Sequence, residues 1–157
     1  MYVFDTSVFI VISRSYFKDS FRTFWDRFDN YLDDEKIISV REVKLELESY
    51  QGEKFNYIKW CRERESIFQV PTSEEAEFVR EIFKINRFSE LISRKSVLKG
   101  TPVADPFVIA KAKIKKFVVV TQEEYKPNAA KIPNVCKHFE IDCIGLEDFL
   151  KNEKWQF

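Results

Sequence analysis

The stretch from Asp105 to Thr121, DPFVIAKAKIKKFVVVT, decides the fold. Asp followed by Pro reads as a helix opening. The Asp caps, and Pro suits the next position because its missing N–H would have no partner there. The helix runs to about Lys115. Phe117–Thr121 is then the clearest strand of the chain, a β-branched run of valines. Helix feeding strand is the repeating unit of a parallel sheet, whose strands need crossovers that return over a sheet face.

The alternation extends outward in both directions. Tyr2–Phe4 is a short strand ending at Asp5, with Thr6 and Ser7 as cap-type residues ahead of a helix through Val8–Ile12. Phe21, Phe24, Trp25, Phe28, Tyr31 and Leu32 have helical spacing between Ser20 and about Asp34. Lys36–Val40 is a second strand and Arg41–Tyr50 the next helix. After Gly52, Lys54–Ile67 reads as helix with Phe55, Ile58, Trp60 and Cys61 inward. Thr72 with Glu75 forms a capping box opening a helix to about Ile85. Phe88–Leu98 also reads as helix. Beyond the valine run, Lys126–Pro133 is a loop, Val135–Glu140 a short helix, Ile141–Ile144 a last strand and Leu146–Lys151 a last helix. The expectation is an α/β protein: a three-layer α/β/α sandwich with a mainly parallel central sheet. Residues 1–157 form one domain, with 51–100 as a helical middle segment or arm within it.

Composition bounds the function. The chain has 157 residues, 45% of them hydrophobic, which suffices for one sizeable core. Twenty-six basic residues balance 26 acidic ones, so a generic polyanion binder is disfavoured. The balance is local: the net is −3 over residues 1–50, +2 over 51–100 and +1 over 101–157. No run approaches the ~20 apolar residues of a membrane span, and no signal-peptide pattern opens the chain, so no membrane and a cytoplasmic location are expected. Three cysteines without a CxxC pair and one histidine argue against a zinc site.

Ligands of open parallel sheets bind at the carboxyl ends of the strands, an edge shared by the N-terminal turns of the crossover helices. Acids occupy those places here. Asp5 ends the first strand. Glu42 and Glu46, four apart, lie on one face of the helix after the second strand. Asp105 opens the helix before the valine strand, and Glu123 and Glu124 follow that strand. Crowded carboxylates repel and must be neutralised by protons or cations. Oxygen ligands without His or Cys suit Mg²⁺ or Mn²⁺, which polarise a phosphodiester and activate water. Each acid also has a structural reading, as helix cap, solvated helix face or polar turn. The coincidence of their positions carries the argument.

At these residues the sequence resembles the PIN-domain family, the metal-dependent nucleases that include VapC-type toxins. YVFDTSVFI (residues 2–10) resembles the family's opening strand, Asp and small hydroxyl residues. ISVREVKLELES (38–49) is similar to its second motif, with Glu46 as the matching acid and Glu42 within reach. VADPFVIAKA (103–112) places the third acid at Asp105. FVVVTQEEY (117–125) resembles the strand ending in Val-Thr-x-Asp, with Glu123 where Asp is usual. The tail, KIPNVCKHF and IDCIGLEDFL, is similar to a largely uncharacterised PIN-like branch, with Ile132 and Val135 as packing residues.

The resemblance implies a metal-dependent endoribonuclease that hydrolyses single-stranded RNA, a VapC-like toxin of a toxin–antitoxin pair. It implies Asp5, Glu46, Asp105 and Glu123 as catalytic, metal-binding residues for one or two Mg²⁺ or Mn²⁺ ions. Thr6, Ser7, Thr121 and Lys111 are the expected substrate contacts. Implied partners are RNA, single-stranded or structured, a small antitoxin protein and a second copy in a homodimer.

Other classes fit less well. A haloacid-dehalogenase-type phosphatase needs an acid two residues after Asp5, where Ser7 stands. A topoisomerase-primase-like domain needs an Asp-x-Asp pair after a strand. A dinucleotide-binding domain needs a glycine-rich first turn, and the chain has three glycines. The alternative from another class is a catalytically silent PIN-like domain serving as an RNA- or protein-interaction module.

Overall fold

A computed structural model describes residues 1–50, 54–92 and 103–157. Strands β1 (Tyr2–Phe4), β2 (Ile37–Val40), β3 (Phe68–Gln69), β4 (Val118–Val120) and β5 (Cys143–Ile144) form one sheet in the order β3-β2-β1-β4-β5. Every pairing is parallel, with Tyr2 opposite Ile37 and Val3 opposite Val119. Around the sheet lie α1 (Thr6–Ser15), α2 (Arg22–Asp33), α3 (Arg41–Ser49), α4 (Tyr57–Glu63), α5 (Ser73–Phe83), α6 (Asp105–Lys115), α7 (Ile132–His138) and α8 (Leu146–Asn152). This is the expected α/β arrangement with a parallel sheet flanked by helices.

β1 sits at the centre, and its three residues are buried. Its Phe4 meets the rings of Phe9 from α1, Phe28 from α2 and Phe149 from α8, which puts these helices over one face. The last helix is tied back to the first strand: the Tyr2 and Tyr31 hydroxyls donate to the Glu153 carboxylate at 2.5 and 2.7 Å. Aromatic packing of this kind gives a core about 0.5–1.5 kcal/mol per pair beyond area burial. Cys61 and Cys136 are buried free thiols, and burial pushes the Cys61 thiol up to about 12.

With so few glycines, the chain turns its helix ends on other residues. Glu35, Lys116, Glu140 and Lys154 all take left-handed backbone, with φ of 54°, 58°, 55° and 53°. Each sits in the same closure, the next residue donating back to the carbonyl five positions earlier: Lys36 to Tyr31, Phe117 to Ala112, Ile141 to Cys136 and Trp155 to Leu150. This is the Schellman ending, which glycine usually serves.

Several boundaries differ from the sequence expectation. Asp5, not Thr6 or Ser7, caps α1, because its carboxylate reaches the N–H groups of both. Ala104 precedes α6, so Asp105 is the first helical residue and Pro106 the second. The helix expected over Lys54–Ile67 forms only from Tyr57 to Glu63, and Ile58 faces solvent. The mostly helical middle also supplies β3, an edge strand of two residues. The capping box of α5 forms as expected. The helix expected over Phe88–Leu98 starts as a 3-10 turn, Asn86–Leu91, and its remainder from residue 93 lies outside the described residues. α7 begins at Ile132, three residues ahead of the expected Val135, with Pro133 in its first turn. Ile132 and Val135 are fully buried.

Candidate active site

The carboxyl edge of β1 and β4 gathers the acids. Asp5 leaves the end of β1 and is only 4% exposed. Its Oδ1 accepts the Thr6 N–H at 2.7 Å. Its Oδ2 accepts the Ser7 N–H at 3.4 Å, the Ser7 hydroxyl at 2.5 Å and the Thr121 hydroxyl at 3.0 Å. Burial raises its pKa against the pull of these donors. The Ser7 oxygen in turn accepts the Gln122 N–H at 3.1 Å, which stitches α1 to the end of β4.

Glu46 reaches the same edge from α3. Its Oε2 accepts the Thr6 hydroxyl, and its Oε1 accepts the Ala104 N–H at 3.0 Å. That N–H belongs to the residue just before Asp105. Burial raises the Glu46 pKa, and the Asp5 charge adds to it. Glu123 is fixed at both ends: its N–H donates to the Thr121 hydroxyl at 3.1 Å, and its Oε2 accepts the Ile132 N–H at 2.8 Å.

Asp105 lies among the other three. Its carboxyl is pushed up to about 8, first by burial and then by the charges of Asp5, Glu123 and Glu46. The acids expected to converge therefore do act on one another. Among the described residues, no Lys or Arg ion-pairs with any of them. The cluster is an acidic rim at the carboxyl edge of a parallel sheet.

The donor chemistry fits a hard divalent cation, since it consists of carboxylate and hydroxyl oxygens. Among the described residues, no three His, Cys, Asp or Glu side chains are placed, as they stand, to ligate one ion. The hydrogen bonds account for this: Asp5, Glu46 and Glu123 point their oxygens at protein donors. Asp105, with its charge suppressed by its neighbours, is the acid with most to gain from a cation.

One sequence expectation resolves differently, and the two acids of α3 separate. Lys111, expected at the substrate, is 1% exposed. Its Nζ pairs with Glu75 Oε1 at 2.8 Å between α6 and α5, so it clamps two helices. Its helix is buried from Val108 through Ala112, and a lysine in that run must turn inward. Of the two acids on α3, Glu46 joins the rim. Glu42 is buried against Arg41 at 2.6 Å, and among the described residues its Oε2 has no hydrogen-bond partner. Glu124 is exposed. Thr6, Ser7 and Thr121 all stand at the rim, each bonded to an acid.

Two participants escape a sequence reading: the backbone N–H groups of Ala104 and Ile132, which orient Glu46 and Glu123. A backbone donor leaves no mark in the residue alphabet. The one available signal is positional, the small residue before Asp105 and the loop ending at Ile132.

Fold and site together define a class: a parallel α/β protein with an acidic cluster at the carboxyl edge of its sheet, where ligands of such sheets bind. A family described as Domain of unknown function (DUF4411) matches residues 2–157, and the chain belongs to that family. A comparison with curated proteins gives no match.

Proposed function

We propose that the protein is a divalent-metal-dependent endoribonuclease that hydrolyses single-stranded RNA at the acidic rim. One observation carries the reading: four acids from four separate segments meet at one sheet edge, with the Asp105 carboxyl pushed up to about 8 among them. Groups so perturbed in a pocket mark functional sites more often than chance placement does. Asp5, Glu46 and Asp105 would hold Mg²⁺ or Mn²⁺, with Glu123 beside them. The ion would supply Lewis-acid polarisation of the phosphodiester and a more acidic water.

The chain's own residues perform the positioning. Ser7 and Thr121 lock the Asp5 carboxylate, so that it need not reorganise when charge develops. Thr6 joins Asp5 to Glu46 and keeps both acids on one side of α1. Burial and the neighbouring acids favour the protonated form of Asp105, and a bound cation would favour its carboxylate. The resemblance to VapC-type proteins extends the reading to a cytoplasmic toxin, a homodimer restrained by a small antitoxin protein.

A second reading has its own support. Asp5, Glu46 and Glu123 are already satisfied by protein donors, as expected of a catalytically silent module that binds RNA or protein. The test is cleavage of a labelled single-stranded RNA with Mn²⁺. The parent should cut, leaving 5′-phosphate ends, and Asp5→Asn and Asp105→Asn should not, with unchanged circular dichroism. No cleavage by the parent, or equal cleavage by all three, removes the catalytic reading.

A further inference from the structure

We propose that Tyr125 is a stacking platform for a nucleobase of single-stranded RNA, held on the Glu123 side of the acidic rim. The proposal rests on the function proposed above and adds where the strand lies beside the reacting phosphate.

Tyr125 follows Glu123 by two residues, so their Cα atoms are at most ~7 Å apart. The residues on either side of it are pinned to α7. Glu123 Oε2 accepts the Ile132 N–H at 2.8 Å, at the start of that helix. The buried Asn134 side chain accepts the Lys126 N–H at 3.4 Å and donates to the Lys126 carbonyl at 2.7 Å. Tyr125 is therefore bracketed by two anchored residues. Its ring meets the same helix: the Lys137 ammonium stands 4.6 Å from the ring centre. Ile132 and Lys137 lie five residues apart, a helical rise of about 7.5 Å. Loop and helix thus give the same short span between ring and acid.

Tyr125 is 50% exposed, with a cation fixing it from one side. From Tyr125 to Phe139 the chain carries Lys126, Lys131 and Lys137 and no acid, with Glu124 and Glu140 flanking the stretch. Among the described residues, none of these lysines ion-pairs with a carboxylate. Lys131 directly precedes Ile132, whose N–H holds Glu123, so a free cation sits next to a contact of the rim itself.

Single-stranded nucleic acid is bound by this combination: a flat ring on which a base stacks and cations that take the phosphates beside it. It also answers a difficulty of the rim, whose carboxylates repel phosphate. Lys126 and Lys131 compensate that charge on the flank where the strand arrives. The span from ring to acid places the stacked base and the phosphate at the rim on the same or adjoining nucleotides. An acidic peptide offers charge to the lysines but no flat face to Tyr125.

The test uses the full chain, a fluorescent dodecauridylate and EDTA, so that binding is read without turnover. Tyr125→Ala should keep the parental circular dichroism and weaken binding about fivefold to a hundredfold. Tyr125→Phe, which keeps the flat face, should bind like the parent. An abasic dodecamer carries the phosphates without the bases, and Tyr125→Ala should leave its binding unchanged. Lys126→Gln/Lys131→Gln should make the log–log salt slope shallower by about 1.4, at ~0.7 per lost phosphate contact. Parental affinity in Tyr125→Ala would overturn the platform. So would an equal loss on the abasic strand, or equally tight binding of polyglutamate. Cleavage with Mn²⁺ separates the two proposals. A Tyr125→Ala variant that binds and cuts RNA like the parent sinks the platform and leaves the rim standing. A parent that binds bases through Tyr125 but cuts nothing keeps the platform and removes the catalysis.

Discussion

The Thr6 hydroxyl donates to the Glu46 carboxylate across 40 positions of sequence, while the Thr6 backbone N–H donates to Asp5. One residue thus sets the spacing of two acids from different elements. Replacing Thr6 by Val removes the hydroxyl and keeps the shape. Stability should drop by about 1–2 kcal/mol, the loss of a hydrogen bond to a charged, half-buried group. Thr6→Ser should restore most of it. Urea denaturation midpoints check both. A valine variant as stable as the parent would show that the contact contributes nothing.

Asp105 predicts an inverted pH dependence. Its carboxyl binds a proton up to about pH 8 in the fold, but an Asp in the unfolded chain releases it near 3.8. Between these values the folded state holds more protons, so stability falls as pH rises. Asp5 and Glu46 are raised too and act in the same direction. In EDTA, the melting temperature should climb from pH 8 towards pH 5.5. Asp105→Asn should raise it at pH 8 and flatten the slope. Added Mn²⁺ should stabilise the parent at pH 8 and leave Asp105→Asn unmoved. A parent whose melting temperature rises with pH over this range contradicts the charge crowding.

The Lys111–Glu75 pair predicts a large, asymmetric penalty. Its side chains are 2% and 1% exposed, so removing one partner strands a buried charge. Lys111→Met should cost about 3–5 kcal/mol. The double variant Lys111→Met/Glu75→Gln should recover most of that. Gln keeps the acceptor for the Thr72 N–H, now 3.1 Å from Glu75 Oε2, and carries no charge. Chemical denaturation of both variants measures the difference.

Lys116 predicts a gain. It closes α6 in left-handed backbone, at φ 58°. A side chain there costs about 1–2 kcal/mol relative to a residue without a Cβ. Lys116→Gly should therefore stabilise the fold by about 1 kcal/mol, less whatever flexibility glycine adds to the unfolded chain. A lower melting temperature in this variant would mean that the lysine has a compensating contact.

The strands that build the rim were readable because they are short, apolar and followed at once by an acid: Tyr2–Phe4 by Asp5, and Val118–Val120 by Thr121 and Glu123. β3 was not. Two residues, Phe68 and Gln69, carry no period, and only pairing with Ser39 and Val40 makes them a strand. The place of Lys111 is hidden for a related reason. A lysine on a helix suggests solvent, and only the packing of α5 on α6 shows that Glu75 waits for it. Asp5 as cap, in place of Thr6 or Ser7, turns on the direction of one carboxylate, which residue type alone does not specify.

The centre of the sheet also sets when the rim can exist. Asp5 and the Thr121 hydroxyl that locks it stand 116 positions apart, and Glu123 is oriented by the N–H of Ile132. Asp5 has its local donors, Thr6 and Ser7, as soon as α1 forms, but a nascent chain gains the Thr121 hydroxyl only after β4 is made. The rim is assembled only when segments far apart in the chain have met, so a fragment ending before Thr121 cannot lock Asp5 in this way.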